Sequence, residues 1–149
     1  MKIVVVSDNH GNKEVLNKIL NDNPDADYYF HLGDSELELN ELNPFLCVKG
    51  NIDNEYSLPI EKVIDTKECS IYLTHGHAYS ADLRLISKAA KMNDCKLALY
   101  GHTHIYLDKV VDGVRIINPG SCSRSKDDGN SYVVILINEG NIAVNRIYV

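Results

Sequence analysis

The chain has 149 residues, 44% of them hydrophobic and 24% charged, with a formal net charge of -6. That length suits one domain spanning residues 1–149, and no cluster of lysine and arginine offers the basic face that a grip on nucleic-acid backbone needs. Small phosphorylated substrates stay open, because metal ions can supply the positive charge.

In chain order, KIVVVS (2–7) is apolar and β-branched, which predicts a strand buried on both faces. NKEVLNKILND follows with Val15, Leu16, Ile19 and Leu20 at helical spacing, Asn12 as N-cap and Pro24 past the end. YYFHL (28–32) predicts a second buried strand and runs into Gly-Asp. Residues 35–45 are acidic and leucine-bearing and suggest a helical turn, and FLCVKG (45–50) suggests a third strand. Strands are expected over 60–65 and 70–74 with a turn between them, a helix over 80–93, and a strand over 96–101. The rhythm then changes. Asp-Gly at 112–113 between apolar runs signals a hairpin, and a second hairpin turns near 138–141. Alternating strands and helices followed by an antiparallel last third predict one mixed α/β domain.

The four cysteines form no C-x-x-C pair and read as reduced thiols. The N-terminal apolar run is too short for a signal peptide, and no run approaches the roughly 20 apolar residues of a membrane span. The expected location is the cytoplasm, with no membrane partner.

The chemistry-bearing residues sit where the strands end. Asp8 and His10 follow the first, Asp34 the second and Asn51 the third; His75 and His77 follow residues 70–74, and His102 and His104 follow residues 97–100. Ligand sites form at the carboxyl ends of parallel strands, and the neighbouring glycines permit sharp turns. Singly, each pattern is ordinary turn chemistry. Together they are two carboxylates, an amide oxygen and several imidazoles, without thiolate. That set suits Mn, Fe, Zn, Co or Ni better than Ca or Mg, and it is too large for one tetrahedral ion. His31, inside its strand, reads instead as a buried, hydrogen-bonded histidine.

The order D-x-H (8–10), GD (33–34), GN (50–51), THGH (74–77) and GHTH (101–104) resembles the calcineurin-like metallophosphoesterase superfamily, and the match runs the length of the chain. The short length, THGH and the NPGS at 118–121 are similar to its small bacterial and archaeal phosphodiesterase subgroup. The resemblance implies two packed β-sheets flanked by helices, with two divalent metal ions at the loop edge, Mn²⁺ first among the candidates. It implies that Asp8, His10 and His104 hold one ion, that Asn51, His75 and His102 hold the other, and that Asp34 bridges them. His77 is read as a residue beside the metals that supports a ligand, faces substrate or donates a proton.

Two departures stand out. Many members read G-N-H-D/E, where the histidine helps protonate the leaving group, but here GNID (50–53) puts Ile52 in its place. The small subgroup commonly lacks that histidine too, so activity is still expected while the general acid stays unassigned. After GHTH, Ile105 and Tyr106 stand where a proline is often found nearby, and they read as packing residues. The implied reaction is phosphodiester hydrolysis of a small substrate by a metal-bound hydroxide, with nucleic acid not the main partner. A homo-oligomer is left open. The rival is a non-catalytic scaffold, because a eukaryotic retromer subunit shares the fold with an altered metal site. Every matched ligand position here keeps a ligating residue type, which favours the enzyme.

Overall fold

A computed structural model describes residues 1–149. It contains ten strands in two five-stranded sheets and two α-helices. The first sheet runs β10-β9-β1-β2-β3 and the second β4-β5-β6-β8-β7. In sequence these are β1 (Lys2–Val6), α1 (Lys13–Asp22), β2 (Tyr28–His31), β3 (Leu46–Cys47), β4 (Glu61–Asp65), β5 (Ser70–Thr74), α2 (Leu83–Met92), β6 (Leu97–Leu99), β7 (Tyr106–Val111), β8 (Val114–Pro119), β9 (Ser131–Asn138) and β10 (Asn141–Tyr148).

Strand periodicity sorts the core into layers. In β1, Ile3 and Val5 point between the sheets, where they meet Phe30, Ile71, Leu73, Leu97, Leu99, Ile117 and Ile135. Val4 and Val6 point the other way, onto Val15, Leu16 and Ile19 of α1. In β6, Leu97 and Leu99 face the inter-sheet core, while Ala98 faces Ile86 and Ala90 of α2. The result is a helix, two sheets and a helix, the two-sheet fold that the family resemblance implied. Burial on both faces explains why these strands read as unbroken apolar runs. The edge strand β10 instead alternates exposed and half-buried residues.

Each sheet carries three parallel strands: β1, β2 and β3 in one, β5, β6 and β8 in the other. Here the structure corrects the sequence reading. The last third is not purely antiparallel. β8 pairs antiparallel with β7 but parallel with β6, because its buried faces place it inside the second sheet rather than in an isolated hairpin.

Three boundaries also move. β3 is two residues long rather than 45–50, since the Lys49 amide turns to the Pro59 carbonyl instead of the sheet. β6 ends at Leu99 because the Gly101 amide leaves for the His75 carbonyl. α2 starts at Leu83 rather than 80, with Asp82 as N-cap; Ser80 and Ala81 lie at φ 51° and 53°, outside helical space. The acidic stretch contains a single 3₁₀ turn, Leu39–Glu41. α1 matches its reading: the Asn12 side chain accepts from the Val15 amide at 3.1 Å.

Candidate metal centre

The parallel strands of both sheets deliver their ends to one edge. Two groups of candidate ligand atoms form there, Asp8 with His10 and His104, and Asp34 with His75 and His102. Within each group the atoms lie within 4.8 Å of one another. In the first, His10 Nε2 stands 3.2 Å from His104 Nε2, and His104 Nε2 stands 3.2 Å from Asp8 Oδ1. In the second, His75 Nε2 stands 3.3 Å from Asp34 Oδ2 and 3.1 Å from Asn51 Oδ1. Asn51 therefore joins the second group. The groups are neighbours, since Asp8 Oδ2 accepts from the His102 amide at 3.1 Å.

Local backbone geometry puts the side chains there. Asp8, His10, Asp34, His102 and His104 all have positive φ, between 48° and 68°. A non-glycine residue in the left-handed region is uncommon, and such residues concentrate at functional sites. Asp and His are among the types that tolerate it best, which is one reason a strand-end site can be built from them.

The glycines permit close approach. A Cβ at Gly33 would meet Gly50 N at 2.7 Å and His75 Nδ1 at 2.8 Å. One at Gly101 would meet Ser7 Oγ at 2.0 Å and Asp8 Oδ2 at 2.9 Å.

The imidazoles are held from behind. His75 Nδ1–H donates to the Leu32 carbonyl at 2.6 Å, and His104 Nδ1–H donates to the Arg124 carbonyl at 2.7 Å. His10 Nδ1 lies 2.8 Å from the Glu36 carboxylate. In all three, Nδ1 is tied to protein and Nε2 faces the other candidate ligands. This is how metal-ligating histidines are commonly oriented.

The donor set fits divalent cations. Asp8 Oδ1 is buried and accepts no hydrogen bond, an expensive condition for a carboxylate oxygen unless a cation meets it. Adjacent ligand atoms around one ion at about 2.1 Å stand roughly 3.0–3.4 Å apart, and the four separations given above fall in that range.

The electrostatics agree. Burial alone would raise the Asp34 carboxyl, but the hydrogen bond and charge of His75 and the Ile52 amide hold it at about 2. Burial alone would lower His75, yet its bond to Asp34 and the Asp8 charge raise it. His104 is raised chiefly by the Asp8 carboxylate, whose Oδ1 stands 3.2 Å from its Nε2. His102 is lowered by burial and then by the His75 charge. Asp34 is thus kept ionised beside His75.

The other two histidines lie outside both groups. His31 is fully buried, donates from Nε2 to Asn9 Oδ1 at 2.9 Å and accepts at Nδ1 from the Gly33 amide at 3.2 Å. Burial pushes it down to about 4, so it is a neutral strut between the first two strand ends. His77 opens a 3₁₀ turn, His77–Tyr79, with its ring centroid 5.4 Å from that of His75 and 6.3 Å from that of His102. It belongs to neither group of ligand atoms. Burial, then the His75 charge, lowers its pKa.

Several supporting residues escaped the sequence reading. Glu36 backs His10. Asn118 donates to the Gly101 carbonyl at 2.7 Å and the Thr103 hydroxyl at 3.1 Å, fastening the GHTH turn. Ser121 donates to the Asp8 carbonyl at 2.7 Å. The last two belong to NPGS, which read only as a motif; Asn-Pro-Gly directly after a strand was the available signal of a built turn.

Comparison with known proteins agrees with this geometry. The family model described as the calcineurin-like phosphoesterase superfamily domain matches residues 1–140. A probable metallophosphoesterase of Bacillus subtilis, YsnB, is 31% identical, the alignment covering 99% of this chain and 90% of that protein. The phosphodiesterase MJ0936 of Methanocaldococcus jannaschii is 30% identical, over 82% of this chain and 84% of that one. Among solved structures, a Streptococcus pneumoniae protein described as a phosphoesterase by prediction superposes with a TM-score of 0.90 at 27% identity, covering 99% and 88% of the two chains. A Vps29 structure from Entamoeba histolytica, at 22% identity, shares the fold with a TM-score of 0.76, covering 99% and 98%. The chain belongs to the calcineurin-like phosphoesterase superfamily, and with it to the metal-dependent phosphoesterases.

Proposed function

We propose that this protein is a phosphodiesterase working with two divalent metal ions, Mn²⁺ first among the candidates. Asp8, His10 and His104 would hold one ion and Asn51, His75 and His102 the other, with Asp34 shared between them. The observation that carries this reading is the pair of adjoining ligand groups, with an unpartnered buried Asp8 oxygen in the first. When bound, such a pair of cations supplies an activated water as nucleophile and charge stabilisation for the phosphoryl oxygens.

The chain's own residues do the positioning. The Leu32 and Arg124 carbonyls and the Glu36 carboxylate fix three imidazoles. His77 Nδ1 is buried without a hydrogen-bond partner, so the ring is not tied down through that nitrogen as His75 and His104 are through theirs. A cleft lined by Glu36, Leu37, Glu38, Ile52, Asn54 and Glu55 opens beside Asp34 and His10. Its three carboxylates and lack of cationic lining count against a polyanion such as nucleic acid. No helix is long and apolar enough to cross a membrane. The four cysteines are free thiols, in keeping with a reducing, cytoplasmic setting.

The test is metal content after purification, together with turnover of bis(p-nitrophenyl) phosphate with added Mn²⁺. Two ions per chain and metal-dependent turnover are expected. A metal-free, inactive protein that engages protein partners would instead support a scaffold role for this fold.

A further inference from the structure

We infer that Asp53 is a positioning residue: its carboxylate fastens the loop carrying Asp34 to the loop carrying Asn51, so that the two loops present ligands as one unit. The inference rests on the two-ion reading above. Asp53 is the last residue of GNID, and it touches none of the candidate ligand atoms.

Its hydrogen bonds are unusually dense. Asp53 Oδ2 accepts from the Asp34 amide at 2.8 Å and from the Gly50 amide at 2.7 Å, so one oxygen bridges both loops. Oδ1 accepts from the Ser35 amide at 2.7 Å, the Glu36 amide at 2.9 Å and the Ser35 hydroxyl at 3.0 Å. Asp53 is 7% exposed and forms no ion pair. A buried carboxylate without a cationic partner is costly unless its lone pairs are satisfied, and here four backbone amides and a hydroxyl satisfy them.

The arrangement also accounts for strained backbone. Asp34 and Glu36 sit at φ 53° and 54° with Ser35 between them, and all three amides converge on Asp53. Alternation of this kind makes a concave anion-binding backbone, filled here by a side chain of the chain itself. The rest of the block completes the clamp. Asn51 Oδ1 meets His75 Nε2 at 3.1 Å, and the Ile52 amide donates to Asp34 Oδ1 at 3.1 Å. Releasing Asp53 would free the backbone of Asp34 and the turn that aims Asn51. Asp8 and His104 have further supports in Ser121 and the Arg124 carbonyl, whereas His10 is backed by Glu36, whose amide is itself on Asp53.

Asp53→Asn keeps the size but replaces one acceptor oxygen with a donor that faces amide N–H groups. Mn²⁺ titration of the full-length protein, followed by calorimetry and metal analysis, should show two ions in the wild type. In Asp53→Asn the ion of Asn51, His75 and His102 should bind about 10–100-fold more weakly and the other, which shares only Asp34, by a smaller factor, and the tighter ion should be lost on adding His10→Ala. Ser35→Ala, which removes a single donor to the same carboxylate, covers the case in which Asp53→Asn fails to fold; it should weaken the ion of Asn51, His75 and His102 by a smaller factor.

Equal weakening of both ions, or two ions bound as in the wild type by both variants, overturns the inference and leaves the two-ion reading intact. A wild-type chain that binds no metal overturns both.

Discussion

A Cβ on Gly50 would lie 2.0 Å from Asp34 Oδ1 and 2.2 Å from the Asp34 backbone nitrogen, so the third strand end touches the second through a position that only glycine fills. The constraint is contact rather than dihedral freedom, because Gly50 is not among the positive-φ glycines. Gly50→Ala should therefore displace Asp34, costing about 1–3 kcal/mol of stability and lowering metal content. Gly113, at φ 81° in the β7–β8 turn with nothing within 4 Å of its Cβ position, makes the contrast. Gly113→Ala should cost about 1–2 kcal/mol through backbone strain alone and leave metal content unchanged. Urea unfolding and metal analysis of both variants would check this, and a Gly50→Ala protein with full metal content would contradict it.

Metal removal should act on stability as well as on turnover. Asp8 Oδ1 is buried without a hydrogen-bond partner, so a cation that meets it binds the folded chain and not the unfolded one. At a concentration about a hundred times Kd, such a ligand contributes roughly 2.7 kcal/mol. Exhaustive chelation should abolish hydrolysis and lower Tm, and Mn²⁺ should restore both. Full activity after long dialysis against EDTA would rule out the centre as described.

Asp34 and His77 should differ in what they cost. Asp34 Oδ2 lies 3.3 Å from His75 Nε2, whereas His77 lies outside both ligand groups. Asp34→Ala should disturb both ions and remove nearly all activity. His77→Ala should retain the metals and lose about 10–100-fold in rate. If His77→Ala also lost a metal and matched Asp34→Ala, the ligand in THGH would have been misassigned.

The loop after NPGS carries a separate, pH-dependent contribution. Burial by itself would raise the Asp127 carboxyl. The Ser125 hydroxyl, the Tyr106 amide at 2.9 Å and the Arg146 guanidinium at 2.8 Å outweigh it and hold the group at about 2. Arg146 also pairs with Asp128 and lies 4.8 Å from the ring centroids of Tyr106 and Tyr148. A folded-state pKa below the ordinary carboxylate value of about 3.9 gives stability that is present above that value and is lost as pH falls through about 2. Asp127→Asn should cost about 1 kcal/mol at neutral pH, less in high salt. Urea melts should show the gap between wild type and variant closing as pH drops from about 4 toward 2. A gap that widens on acidification would show the sign to be wrong.

The candidate ligands were legible in the sequence for a physical reason, and most of the groups that hold them were not. Ligand types are few, and glycine beside a strand end marks a sharp turn, so Asp8, Asp34 and GHTH stand out against apolar strands. The layered core was legible too, because β1 and β6 are buried on both faces and read as continuous apolar runs. Pairing across the sheet was not. That β8 lies parallel to β6 depends on contacts distant in sequence, whereas its hairpin with β7 is announced locally by Asp112-Gly113. The supporting groups were hidden in the same way. Nothing in the character of Glu36 separates it from a surface polar residue until the fold brings it to His10, and Ser121 and Asp53, though inside quoted motifs, acquire a role only where the fold brings them to Asp8 and to the Asp34 amide.

Ile52 sets the remaining prediction. Its amide donates to Asp34 Oδ1, while its side chain, 41% exposed, lines the acidic cleft. Hydrolysis of a phosphoester expels an oxygen that must be protonated or already be stable as an anion, and general acid help is typically worth about 10²–10⁴-fold. An alkyl side chain supplies no proton at the place where a histidine often stands. Rates should then depend steeply on leaving-group pKa, with aryl esters hydrolysed far faster than alkyl ones. A series of substituted phenyl diesters measures this as the slope of log kcat/KM against leaving-group pKa. A flat slope, with chemistry shown to be rate-limiting, would mean that a proton donor exists. His77→Ala should then make the slope steep; if it stayed flat, a water in the metal centre would take over as the donor to test.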